Sequence, residues 1–179
     1  MIRYSGFKSV LGRFRKSEDG SATVEFVMLI PVVMWIVFSV VEAGWLMTQQ
    51  TLLNRGLNLA VRDLRLGRDP NPTAEDVKAS ICSYAGILRD CNNVLTLELV
   101  EVSDPIGGAN AVCVDRTSEI QPVVAFSTGS YVDQDIMVAR ACFVVDPLIP
   151  GAGIGALLPK DPSGAFHLVS YSAFVNEPE

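Results

Sequence analysis

Histidine is nearly absent from this 179-residue chain: His167 is the only one, and no CxxC pair accompanies it. Zinc sites draw on clustered cysteine and histidine, so no metal site is expected. No serine or cysteine carries a local nucleophile signature, and a lone histidine in an alternating segment reads as an ordinary strand residue. Neither catalysis nor a cofactor is expected. Gly151-Ala152-Gly153-Ile154-Gly155-Ala156 invites comparison with a dinucleotide loop, but its third glycine is out of place and no βαβ frame follows. Asn71-Pro72-Thr73 has proline where a glycosylation sequon forbids it. Cysteine is missing before Cys82, which leaves no lipid acceptor near the N-terminus. Positive charge is also scarce. Of 14 basic and 20 acidic residues, five and two lie in residues 1–20, which leaves nine against eighteen and a formal charge of −9 for the rest. That balance argues against nucleic acid as a partner, because such contact rests on a basic surface.

The most telling shortage is of charge between Phe26 and Val41, sixteen residues with none; after Glu42 the uncharged run resumes from Ala43 to Asn54. As a helix, residues 26–48 reach about 34 Å at 1.5 Å per residue, enough for a hydrocarbon core of roughly 30 Å. Glu42 follows Glu25 by seventeen residues. That is about 25 Å along the axis, near the far interface rather than the bilayer centre. One transmembrane helix is expected. Residues 1–20 carry Arg3, Lys8, Arg13, Arg15 and Lys16 against Glu18 and Asp19, the charge expected of a cytoplasmic leader. The acidic remainder is then exported.

Beyond the apolar run the same helix changes character. Leu53, Leu57, Ala60, Val61 and Leu64 form an i, i+4, i+7, i+8, i+11 stripe, with Arg55, Arg62, Asp63, Arg65 and Arg68 at other positions. Gly67 and then Asp69-Pro70-Asn71-Pro72 stop it, so one helix is predicted over residues 22–66. Pro31 leaves the Val27 carbonyl without its donor, and a bend is expected there. A second helix starts at Thr73, an N-cap followed by Glu75 and Asp76, and presents Val77, Ile81, Tyr84 and Leu88 on one face. Strands follow. Leu95, Leu97 and Leu99 alternate with Thr96, Glu98 and Val100; Ile136–Val145 is rich in β-branched residues; Phe166–Val175 alternates again. Ala111–Val114 is a weaker strand candidate, Val123–Ser130 is open, and Pro147–Pro162 reads as a loop that touches a partner or the membrane.

The division expected is a leader at 1–20, a transmembrane helix at 21–48, its amphipathic continuation at 49–68, and an α+β domain with three or four antiparallel strands at 69–179. All four cysteines, Cys82, Cys91, Cys113 and Cys142, fall in the exported part, where an even number reads as two disulfides. Among the three pairings, Cys82–Cys91 is favoured as a local closure at a helix end. Cys113–Cys142 is favoured with it, as a staple between two strands.

A distinctive feature lies at the helix entrance. Gly20-Ser21-Ala22-Thr23-Val24-Glu25-Phe26 places one acid five residues after a glycine, at the start of a membrane segment. A charge inside such a segment costs roughly 2.5–3.5 kcal/mol on insertion scales, so Glu25 needs a reason to be there. This stretch, with Val27-Met28-Leu29-Ile30-Pro31 and Val41-Glu42-Ala43-Gly44 after it, resembles the N-terminal signature of the TadE-like proteins. Those are pseudopilins of the tight-adherence (Flp) branch of type IV pilus systems. The resemblance covers residues 18–66, and the exported domain shares only the family's general pilin-like outline.

The resemblance implies cutting by a prepilin peptidase between Gly20 and Ser21. Ser21 would then carry a free amine, mostly charged at neutral pH because its pKa lies near 7.7–8.0. Glu25 would pair with that amine, in the same helix or in a neighbouring subunit, with Phe26 beside it. Such a pair needs close geometry to offset desolvation, which is how one acid can set packing register. Ser-Ala-Thr-Val replaces the more apolar run of major pilins and suits a minor component. Other pilins, the assembly platform and the inner membrane are the implied partners. Two other readings of the leader stay open. A secretory signal lacks a small-residue cleavage site at Val41–Trp45. An uncut anchor would leave a single-pass protein whose periplasmic domain binds a partner or ligand, with Glu25 capping a helix start.

Overall fold

The structure is a computed structural model that describes residues 21–102, 113–119, 121–128, 136–151 and 153–175. Helix α1 spans Ser21–Arg65, 45 residues, and passes through Pro31 without interruption. Gly67 closes it with a positive φ of 59° and a backbone bond from its N–H to the Leu64 carbonyl at 3.0 Å. Helix α2 spans Ala74–Ala85 and begins in a reciprocal capping box: Thr73 accepts from the Asp76 N–H while Asp76 accepts from the Thr73 N–H. The Thr73 hydroxyl and then the Thr73 N–H, both donating to the Asp76 carboxyl, hold it below its usual range. A short helix α3 (Cys91–Val94) leads into strand β1 (Leu95–Glu101), followed by β2 (Ile136–Val145) and β3 (Phe166–Val175).

The sheet is antiparallel in the order β1–β2–β3. Its registers place Leu97 opposite Ala141, and Ala141 opposite Ser170, so odd-numbered β1 and β2 residues share a face with even-numbered β3 residues. That face meets α1: Ser172 donates to Asn58 at 3.1 Å, and Gln50 donates to the Val169 carbonyl at 2.9 Å. Leu53, Leu57, Ala60 and Val61 of the predicted stripe are buried in the same core as Leu97, Leu99, Met137 and Phe143, with Leu64 packed at its edge. Small residues at Ala139 and Ala141 leave room for the helix. Gly56 does the same for α2, since a Cβ there would lie 2.7 Å from the Ile81 carbonyl oxygen.

The opposite face of the sheet carries Glu98 and Arg140 directly across from each other on β1 and β2. They form a buried ion pair at 2.6 Å. Cys142 is on this face too, joined to Cys113, while Cys82 of α2 joins Cys91 of α3. This is the favoured pairing, with one correction. Cys113 lies in an irregular segment, so the second bridge ties a loop to β2 rather than strand to strand. Residues 111–112 of the weak strand candidate lie outside the described residues, and residues 113–114 form no strand. Of the open segment 123–130, Phe126 makes a parallel bridge to Leu99, which covers part of the outer edge of β1.

Two further expectations change. α2 ends at Ala85, so Leu88 is buried from the connecting loop and not from the helix. Tyr84 is 37 % exposed and donates to Asp63 on α1, a polar tie where the pattern predicted an apolar contact. The phenol's aromatic body and polar tip satisfy both positions equally well, which is why periodicity misreads it. That bond to Asp63 pushes the Tyr84 phenol above its usual range.

Closing the 29-residue separation of Cys113–Cys142 constrains the unfolded chain more than closing the nine-residue separation of Cys82–Cys91. The chain-entropy relation gives about 3.6 and about 2.7 kcal/mol. Alanine replacement of Cys113 and Cys142 is expected to lower stability more than replacement of Cys82 and Cys91, by about 1 kcal/mol. Urea unfolding of the two double variants measures that difference.

Candidate functional site

Through its first half α1 touches almost nothing in its own chain. Val24, Phe26, Met28, Leu29, Val33, Trp35 and Val40 are all exposed, and no residue of the most apolar window is buried. The hydroxyls near this surface are turned inward: Ser39 donates to the Trp35 carbonyl and Thr48 to the Gly44 carbonyl, both at 2.8 Å. Self-bonding of this kind satisfies these two hydroxyls without water. Ala22–Val41 would span about 30 Å, the thickness of a bilayer core.

Gly20 lies outside the described residues. Ser21 is the first residue of α1, and Glu25 follows one turn later on the exposed surface. Residues four apart on a helix are neighbours, so a group at the Ser21 amine is within reach of the Glu25 side chain. Among the described residues no ion pair or hydrogen bond involves Glu25. Phe26 is 64 % exposed beside it. The helix therefore presents Glu25, Phe26 and the surface around Pro31 outward, where a second helix could meet them.

Glu42 is placed differently. Its spacing from Glu25 predicts an acid near the far interface, and in the structure it is completely buried. A single turn of 3₁₀ helix at Ile154–Ala156 packs against α1 there. The Gly155 N–H donates to Glu42 Oε2 at 2.7 Å, while Oε1 has no hydrogen-bond partner among the described residues. Space is tight at Gly155 and at Gly153. A Cβ on Gly155 would lie 2.6 Å from the Glu42 carboxyl carbon, and one on Gly153 would lie 3.3 Å from the backbone of Phe38 and Ser39. Gly153 also has φ of 70°, which L side chains seldom adopt.

The motif that failed as a dinucleotide loop is thus the receptor for a carboxylate of its own chain. Sequence reading noted both the acid and the glycines without joining them. The signal was present: a buried acid in an apolar helix needs a donor, and closely spaced glycines expose backbone N–H groups. Their 113-residue separation hid it.

The loop rejoins the sheet through Asp161, which accepts from the Ser163 hydroxyl at 2.7 Å and the Ala165 N–H at 2.9 Å. Its other oxygen lies 3.2 Å from His167 Nε2. Burial pushes the Asp161 carboxyl up, but these bonds outweigh it and hold the group below the usual carboxylate range. His167 is thus a strand residue with a structural partner. Next to the glycine loop a cleft of about 940 Å³ opens between Trp45 and Gln49 of α1, Arg89 and Asn93 before β1, and Arg116. Among the described residues no group of three or more histidine, cysteine or acidic side chains could hold a metal ion.

A long helix with an apolar, unpartnered first half, carrying a small disulfide-linked α+β domain, is compatible with a single-pass membrane protein. Residues 20–62 match the family model of the TadE-like proteins, and residues 63–179 lie outside that match. No curated protein and no solved structure matches the chain.

Gly155→Ala is expected to destabilise the protein by about 1–3 kcal/mol through overpacking. Removing the obstructing side chain should relieve part of that, so Gly155→Ala with Glu42→Ala should cost less than the sum of the two. Thermal unfolding of the two single variants and the double variant in detergent measures the coupling, and strict additivity would contradict the contact.

A pH dependence follows from Asp161. Its folded pKa is below the unfolded value of about 3.9, so its contribution is present above that value and is lost as pH falls through the folded pKa. Asp161→Asn should therefore weaken the protein at neutral pH, with the gap from the parent narrowing below about pH 4. Denaturation midpoints across a pH series check this.

Proposed function

We propose that this protein is a minor pseudopilin that takes part in initiating or stabilising assembly of a tight-adherence adhesive pilus. The observation that carries the reading is the matched N-terminal segment, in which an acid stands one turn after Ser21 at the start of an apolar, exposed stretch of helix. In this account a prepilin peptidase cuts after Gly20, whose missing side chain suits a tight subsite. The basic leader stays cytoplasmic, and the acidic, disulfide-linked domain lies in the periplasm. The new Ser21 amine pairs with Glu25, and in the filament or its base the pair is shared between neighbouring helices. Inside lipid only a well-formed pair offsets the desolvation of two charges, so pairing fixes the axial register of one subunit against the next. Other pilins and the assembly platform are the partners, and no catalytic group is needed.

Intact mass of the protein purified from a strain with the peptidase is expected to lack residues 1–20, and from a strain without it to retain them. Gly20→Ala should block cutting. Glu25→Ala should leave cutting intact and reduce pilus assembly. An unprocessed N-terminus in both strains would leave an uncut single-pass protein with a periplasmic binding domain. Normal piliation with Glu25→Ala would remove the pairing role.

A further inference from the structure

Between Asp146 and Lys160 the chain runs for thirteen residues without a charge, Pro147 to Pro159. Three leucines in this loop face outward: Leu148 is 49 % exposed, Leu157 75 % and Leu158 36 %. An uncharged loop with outward leucines on an acidic domain is unusual, and its location gives it meaning. Gly155 holds Glu42, and Gly153 sits against the backbone of Phe38 and Ser39, one turn inside the uncharged run that ends at Val41. At that level the helix itself shows exposed Val37, Val40 and Val41. Leu157 and Leu158 follow Gly155 by two and three residues, so neither lies more than about 11 Å from it.

The geometry points to a second membrane contact: Leu157 and Leu158 enter the lipid interface of the leaflet in which the apolar part of α1 ends. The occupant is phospholipid, because the loop is continuous with the lipid-matched surface of the helix and carries no charge of its own. Lys160 marks the polar border. It follows Pro159 directly and stacks its ammonium 5.8 Å from the centre of the Phe166 ring, where a cation can meet headgroups while its stem stays apolar. Two anchors on one rigid body fix the tilt of the domain over the bilayer, whereas a single helix would leave it free to swing. Glu42 is then the bolt that holds the loop at the depth of the interface.

The proposal rests on α1 crossing the bilayer, and the experiment separates the two. The full chain is reconstituted in phosphatidylethanolamine–phosphatidylglycerol vesicles with a nitroxide on one added cysteine: Leu157→Cys, Leu158→Cys, Val33→Cys in mid-helix, or Val123→Cys, which is 97 % exposed on the domain. Oxygen should dominate relaxation at 33, 157 and 158, and a water-soluble nickel chelate should dominate at 123. Lipid protection at 33 with chelate access at 157 and 158 overturns the loop contact and leaves the helix reading intact. Chelate access at 33 overturns both. Protection at 157 and 158 that disappears when the protein is diluted into excess lipid assigns the surface to a second copy and also overturns the proposal.

Discussion

Helix α1 must satisfy two surroundings along one continuous helix, and the domain is arranged around the place where one gives way to the other. Up to Val41 most of its side chains are exposed, with the Ser39 hydroxyl folded back onto the helix. From Leu53 onward one stripe is sealed under the sheet. Between these regimes stands Glu42, a carboxylate that neither hydrocarbon nor an apolar core can accept without a donor. The Gly155 N–H supplies that donor, and the loop that carries it closes the domain against the helix at the junction. A lever as long as α1 would otherwise be held to the domain only through its C-terminal half.

The rest of the domain reads as a consequence of supporting that contact. The antiparallel sheet offers its small-residue centre, Ala139 and Ala141, to α1, which lets the helix lie close along β2 and β3. The loop leaves the end of β2 after Asp146 and returns to β3 through the bonded turn at Asp161, so both of its ends are fixed to the sheet. On the far face the Glu98–Arg140 pair and the Cys113–Cys142 bridge tie the strands and the covering segment together. A buried pair of this kind is costly if either partner is lost, which favours one strand register over its neighbours.

The proposed pairing site lies at the opposite end of the same helix. Glu25 is the second acid in an apolar run, and its surroundings are the reverse of those of Glu42: exposed, with no partner among the described residues. The two acids divide the labour of the segment, one turned inward to join helix and domain, the other turned outward where another chain can reach it. Exposure over the whole first half of α1 is what a helix needs if its partners are lipid and other helices.

Much of this was legible in the chain. The stripe from Leu53 to Val61, the stop at Gly67, the cap at Thr73, the alternation of Leu95, Leu97 and Leu99 and the pairing of the cysteines all depend on neighbours a few residues away or on simple closure, so local periodicity reports them. The Gly20–Phe26 signature was equally local. Tyr84 misled, because an amphipathic ring serves a polar tie as readily as an apolar face. The contact between Glu42 and Gly155 was not legible, since nothing short-range links two residues 113 positions apart. By itself the sequence determined which segments become helix and strand and where the apolar span lies, because those follow from spacing. Only the tertiary structure decided that, of the two acids bounding the apolar run, Glu42 is buried and Glu25 exposed, because burial depends on which distant backbone arrives to meet the side chain.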